Sequence, residues 1–231
     1  MTLEEMQRML IYCQILAIDG LSNGTNAIIP ELTIDLLSGN SFFGLKNNPA
    51  IFVTEITYKK LKHVYPDWIP NVTIAISQSF LDAKKTSPID IIGVLVHEAG
   101  HAFNVYGRIS NNEANAYIFE IETLLKLYNM SVLSRQFDIS KQDMTQYFQS
   151  RLNQYQMNKK NGKYLQSLID EITETFELEN HHSHRVIEFV TKNAIKIHIK
   201  LGFFKHMNSE DIKLSKDSSF KPYVNMTKVH T

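Results

Sequence analysis

The sequence predicts an α+β protein that is mainly helical, with a small sheet and one long buried helix followed by a C-terminal helical bundle. Three observations predict this class. Two short segments rich in β-branched residues lie before residue 80, and one of them alternates with period two. A nearly continuous apolar run begins at Pro88, as is typical of a buried helix. From Asn112 onward, apolar residues recur at helical spacing.

The N-terminal half contains the elements of the predicted sheet. Residues 2–18 have helical spacing, and residues 25–49 are rich in Asn, Gly and Ser, with one short helix expected at 32–37. Strands are predicted at 51–58, which carries β-branched and aromatic residues, and at 72–77, which alternates strictly. We therefore expect two strands to precede the buried helix.

The start of the buried helix can be assigned from single residues. Ser87 suits the N-cap, Pro88 the first helical position, and Asp90 the first turn, where an acidic side chain is favourable. The middle of this apolar helix carries His97 and Glu98. Polar side chains in such a setting are costly to bury without partners, so this position is a candidate site.

Four further helices are predicted downstream from their apolar spacing. They cover about residues 112–129, 140–155, 165–176 and 184–201, with a break at 159–162. A polar tail follows.

Residues 97–101 read His-Glu-Ala-Gly-His. Because residues four apart share one face of a helix, both imidazoles can reach one metal ion, and Glu98 can hold the water that the metal activates. This is the His-Glu-x-x-His pattern of zinc metallohydrolases. The alternative is that His97 and His101 are core residues satisfied by carbonyl groups.

A catalytic zinc ion usually takes three protein ligands and leaves one position for water. Glu113 is the best third candidate, because it opens the next helix after a connection long enough to reverse the chain. Glu120, two turns further on, could bind the metal instead, or could orient His97 or His101. The histidine-rich tract His181–His184 could also supply a ligand or a proton donor.

The segments 97–101 and 112–114 resemble the gluzincin group of zincin metalloproteases, over roughly residues 70–125. In that group the third zinc ligand is a glutamate on a downstream helix. The resemblance implies that both motif histidines and Glu113 bind Zn²⁺ and that Glu98 is the general base.

Two features depart from the gluzincin pattern. The spacing from His101 to Glu113 is shorter than in the large secreted members, and Tyr117 stands where the group has an aspartate that supports a histidine ligand. Zincins commonly use a Tyr or His as an extra oxyanion donor. Tyr106, Tyr117 and His181–His184 are the candidates here.

These residues together lead us to expect a zinc endopeptidase acting on a protein substrate, with Glu98 activating the zinc-bound water. We expect the substrate to lie along the edge of the strand at 72–77. The alternatives are a housekeeping zinc peptidase, a zinc hydrolase acting on a non-peptide amide, and a catalytically silent zincin-like module that binds proteins. Glu98 argues against the silent module, since metal binding alone does not require that residue.

The zincin-like catalytic core is expected to comprise residues 1–130, with a helical part, residues 131–231, packed on it and selecting the substrate. A small chain with such a helical part resembles the metalloprotease effectors that bacterial pathogens inject into host cells, one of which cleaves actin. This resemblance implies a host protein, such as actin, as the substrate.

The composition restricts the binding partners and the cellular compartment that we expect for this protein. The formal net charge is zero, so we expect neither a nucleic-acid partner nor an anionic membrane. The single cysteine, Cys13, excludes an internal disulfide and fits a reducing compartment. No basic-then-apolar N-terminal segment and no apolar run of membrane-spanning length occurs. We therefore expect a cytoplasmic protein, or one that reaches a host cell without a classical signal peptide.

Overall fold

Seven α-helices and a three-stranded mixed sheet make up the part of the chain that the computed structural model describes, residues 1–38, 48–82, 86–158 and 162–179. The helices are α1 Leu3–Asp19, α2 Glu55–Leu61, α3 Pro88–Tyr106, α4 Glu113–Asn129, α5 Val132–Phe137, α6 Lys141–Asn158 and α7 Lys163–Thr175. The strands are β1 Thr33–Leu37, β2 Ala50–Phe52 and β3 Thr73–Ser77. The predicted α+β, mainly helical class is confirmed.

The sheet has the order β1-β3-β2, with β1 parallel and β2 antiparallel to β3. All residues of β3 are buried. The strand predicted at 72–77 is thus confirmed, but the expectation that a substrate lies along its edge is wrong. Both edges of β3 are occupied by neighbouring strands, and the pairing that places it centrally is non-local.

Two other N-terminal predictions need correction. The short helix expected at 32–37 is wrong, because Thr33–Leu37 forms strand β1 and pairs residue for residue with β3. The strand predicted at 51–58 ends at Phe52. Thr54 then caps helix α2, since its hydroxyl accepts a hydrogen bond from the Thr57 N–H at 3.1 Å. In both places the local sequence is compatible with either a helix or a strand. Strand pairing determines the structure at β1, and the Thr54 cap determines it at α2.

Helix α3 runs through the centre of the described fold and contacts α1, α4, α6 and β2. Its start is as predicted, because Ser87 and Asp90 form a reciprocal capping box and Pro88 occupies the first position. At Gly100 the helix lies very close to α4: a Cβ there would stand 3.0 Å from the Ala116 carbonyl oxygen. This close approach sets the beginning of α4 beside the histidines of α3.

The later helices confirm three of the four downstream predictions. Helix α4 contacts α5, α6 and α7, and α6 also contacts α3. Tyr147 of α6 packs directly on Gly93 of α3, where a Cβ would lie 2.0 Å from the tyrosine hydroxyl oxygen. Residues Met1–Glu179 form one compact unit. The domain boundary at residues 130 and 131 stays a prediction, and the helix predicted at 184–201 and the polar tail lie outside the described residues.

None of the helices in the described part of the chain combines the length with the apolar character that crossing a bilayer requires.

Candidate metal centre

The three residues predicted as metal ligands lie together. His97 and His101 are one turn apart on α3, and their rings meet edge to face with centroids 5.0 Å apart. Glu113 is the first residue of α4, which begins at its N-cap Asn112. The Asn112 side chain accepts a hydrogen bond from the Asn115 N–H at 2.9 Å, and this cap fixes where the helix starts.

The spacing of the ligand atoms fits a metal ion. Glu113 Oε2 lies 3.3 Å from His97 Nε2, and Oε1 lies 3.6 Å from His101 Nε2. The three residues offer ligand atoms that all lie within 4.8 Å of one another. Tetrahedral zinc with bonds of about 2.0–2.1 Å places its ligand atoms roughly 3.3 Å apart. Two imidazoles and one carboxylate, with a side open to a cavity, also match the donor set of a catalytic zinc site.

On each imidazole, the Nδ1 atom, which points away from Glu113, lies within hydrogen-bonding distance of an acceptor oxygen. His97 Nδ1 lies 2.8 Å from Glu120 Oε2, and His101 Nδ1 lies 2.7 Å from Asn111 Oδ1. Since a carboxylate and an amide oxygen can only accept, each Nδ1 carries the proton and donates. Each Nε2 therefore faces Glu113, and its lone pair becomes available to a metal ion when no proton occupies it.

Glu120 is fully buried and holds its position through four partners. The Arg151 guanidinium binds it twice, with Nε 2.8 Å from Oε1 and Nη2 2.9 Å from Oε2. The hydroxyls of Tyr147 and Tyr155 donate to Oε1 at 2.7 and 2.5 Å, and His97 is the fourth partner. Both Glu120 oxygens are engaged by these partners, and the group that could hold a metal ion contains Glu113 and not Glu120.

The protonation states of Glu120 and His97 depend on each other and on Arg151. Burial alone would raise the pKa of Glu120, but Arg151 and His97 outweigh it and lower that pKa to about 2. Burial alone would lower the pKa of His97, but its hydrogen bonds to Glu113 and Glu120 raise it to about 10. A cation on Nε2 would take the place of the extra proton.

Glu98 lies in the same cavity, which has a volume of about 420 Å³ and is lined by all three candidate ligands. The side chain is buried, and its Oε2 accepts a hydrogen bond of 2.6 Å from the Phe52 N–H of strand β2. Strand β2 thus fixes the carboxylate next to the ligands.

The candidate oxyanion donors fall into three groups. Tyr117 lines the cavity, with its ring centroid 4.9 Å from that of His97. The Tyr106 hydroxyl instead donates to the Asn71 carbonyl oxygen at 3.1 Å, and this residue does not line the cavity. His181–His184 lie outside the described residues. Of the described candidates, only Tyr117 borders the metal centre.

Sequence reasoning missed the residues that α6 contributes. Tyr147, Arg151 and Tyr155 are spaced four apart and share one face of that helix. In the sequence the two tyrosines fit the apolar spacing that predicts this helix. The arginine between them on the same face was the available signal, because a cation on a buried face requires a buried anion.

Glu120→Gln is expected to weaken zinc affinity by about 10–100-fold, because it removes the charge that fixes the His97 Nδ1–H. The measurement is competition for zinc with a chromophoric chelator. Glu122→Gln is the matched control, since this neighbouring carboxylate binds Ser22, Lys126 and Tyr164, away from the metal centre. Equal zinc affinity of Glu120→Gln and wild type would contradict the orienting role.

The comparisons with known proteins add no relative: no family model, no curated protein and no solved structure matches this chain. The structure thus establishes a possible His/His/Glu metal-binding group within a mainly helical α+β fold.

Proposed function

We propose that the protein is a zinc-dependent endopeptidase of the gluzincin kind, in which His97, His101 and Glu113 bind Zn²⁺ and Glu98 is the general base. The observation that carries the proposal is the position of Glu98, which lines the same cavity as the three candidate ligands. A metal site that only stabilises a fold is usually closed by four protein ligands. Here a second carboxylate, that of Glu98, lines the cavity on which the three candidate ligands open.

The chemistry follows from these positions. Bound zinc would lower the pKa of a water molecule toward neutrality and polarise the substrate carbonyl. Glu98 accepts the proton as the water oxygen attacks the carbonyl carbon, and then passes it to the leaving amine nitrogen. The Phe52 N–H keeps Glu98 in place during this transfer. Tyr117, which lines the cavity, is the proposed hydrogen-bond donor to the developing oxyanion.

The substrate is proposed to lie along β2 instead of β3. Strand β2 pairs with β3 on one side, and Pro49, Ile51 and Phe52 line the cavity. Within the described ranges no strand pairs with its other side. An extended peptide added there would bring its carbonyl groups past the metal centre.

The test combines metal content with a search for substrates. Purified protein should contain about one equivalent of zinc, as a three-ligand site predicts. Host-cell lysate is then incubated with wild type and with zinc-loaded Glu98→Gln, and new protein termini are compared. Termini produced by the wild type alone support the proposal, and cleaved actin would support the narrower proposal of an injected effector. Equal termini in both samples would overturn the peptidase and favour a silent binding module.

A further inference from the structure

Arg151 lines both the metal cavity and a second cavity of about 260 Å³. The two cavities share four lining residues, Pro49, Val94, Arg151 and Gln154. The arginine is joined to His97 through Glu120 by hydrogen bonds of 2.9 and 2.8 Å. A substrate residue in either cavity is therefore near the guanidinium, close to the metal centre.

The Arg151 guanidinium has N–H groups that its contact with Glu120 does not use. It carries five N–H groups, and its contact with Glu120 uses Nε and one hydrogen of Nη2. In the described part of the chain, the only buried side-chain nitrogen or oxygen atom without a partner is Asn104 Oδ1. Among the described residues no hydrogen bond is found for Nη1, and the Arg151 side chain, which lines both cavities, keeps 17% of its surface exposed. Its edge with Nη2 can bind a second carboxylate in bidentate fashion.

Three aromatic rings hold the guanidinium in a fixed orientation. Its Cζ lies 5.6, 5.5 and 5.7 Å from the ring centroids of Tyr117, Tyr147 and Tyr155. A donor fixed in this way loses little conformational freedom when it binds a ligand. This distinguishes Arg151 from a mobile surface arginine.

We propose that Arg151 binds a carboxylate of the substrate close to the scissile bond, so that the peptidase selects acidic substrates. This inference rests on the proposed function. Because Arg151 lines the same cavity as the candidate ligands and an extended peptide advances about 3.3 Å per residue, the carboxylate belongs close in sequence to the cleaved bond. It comes either from an Asp or Glu side chain or from the C-terminus of a short peptide.

The other polar groups of the second cavity are compatible with this ligand. Gln154 and Thr86 add neutral hydrogen-bonding side chains. The acidic member of the lining, Asp90, is engaged at the start of α3, where its Oδ2 accepts from the Ser87 N–H at 3.3 Å and from the Ser87 hydroxyl at 2.7 Å. Its charge is partly offset by the helix N-terminus.

The test compares matched peptides on zinc-loaded protein. Peptide sets carry Glu or Gln at each position around the bond, and a second arm compares free and amidated C-termini. The wild type should favour the acidic member of a pair on the order of tenfold in kcat/KM, as a charged hydrogen bond allows. Arg151→Met should reduce the ratio below about twofold, and Arg151→Lys should fall between them because it keeps the charge and loses the planar fork.

Glu120→Gln separates carboxylate binding from metal positioning. It perturbs His97 but keeps Arg151, so the acidic preference should persist or rise once the compensating charge is gone. A wild type without preference, or Arg151→Met with the full preference, would overturn the inference and leave the peptidase intact. If no peptide is cleaved, calorimetry on zinc-loaded Glu98→Gln decides: tighter binding of the acidic peptide supports the carboxylate site, and equal binding of the pair overturns it.

Discussion

Replacing Glu98 by Gln is expected to lower kcat by a factor on the order of 10²–10⁴ while zinc stays bound, because an amide cannot accept the proton of the attacking water. The three ligand side chains are untouched by this change. The fold is expected to be retained, since the amide oxygen can still accept the hydrogen bond from the Phe52 N–H. The measurements are kcat on a cleaved peptide and zinc content by atomic emission.

Glu98→Asp provides the second variant for this prediction. It keeps a carboxylate but shortens its reach, so it should retain more activity than Glu98→Gln if proton transfer is the role of the residue. Activity of Glu98→Gln equal to that of wild type would refute the general base. A parallel loss of zinc would instead indicate that Glu98 supports the metal.

Gly93→Ala is expected to destabilise the protein by about 1–3 kcal/mol, the usual cost of overpacking a core. In a solvated helix the same change would stabilise by up to ~1 kcal/mol. Here the new Cβ would lie 2.0 Å from the Tyr147 hydroxyl oxygen and 2.1 Å from its Cζ, so the buried ring must move. The movement also removes a donor from Glu120. Urea unfolding measures the loss of stability, and chelator competition measures the accompanying loss of zinc affinity.

Gly162→Ala is the matched control for Gly93→Ala. Among the described residues, no heavy atom apart from the chain neighbours lies within 4 Å of a Cβ built at Gly162, so its effect should stay below about 0.5 kcal/mol. In a Tyr147→Ala background the cost of Gly93→Ala should largely disappear, because the clashing ring is gone. An unchanged cost in that background would show that the contact with Tyr147 is not the cause.

The parts of the site that follow from local rules could be predicted from the sequence. Ser87, Pro88 and the apolar run define α3, and the four-residue spacing of its histidines gives one shared face. Glu113 could be predicted as the third ligand because it lies at the start of the next helix. Strand β1 and the central position of β3 could not be predicted, because they depend on pairing between segments 40 residues apart in the register of Thr33 with Thr73.

The contribution of α6 to the candidate metal centre could not be predicted for a related reason. Arg151 and Glu120 lie 31 residues apart, and no local periodicity links them. The neighbours of Arg151 on its helix face, Tyr147 and Tyr155, have large apolar rings and fit a core stripe. Only the three-dimensional packing reveals that their hydroxyls converge on a single carboxylate.

The contact of Arg151 with Glu120 has a consequence for assembly. A nascent chain that ends before α6 already contains His97, His101 and Glu113, yet its Glu120 would have to be buried without its cation, which is strongly unfavourable. Such a chain should leave the region around α4 loosely packed and its imidazoles poorly oriented. We therefore expect zinc to bind tightly only after the chain through Tyr155 is available to fold, and fragments that stop at residue 130 should bind zinc weakly.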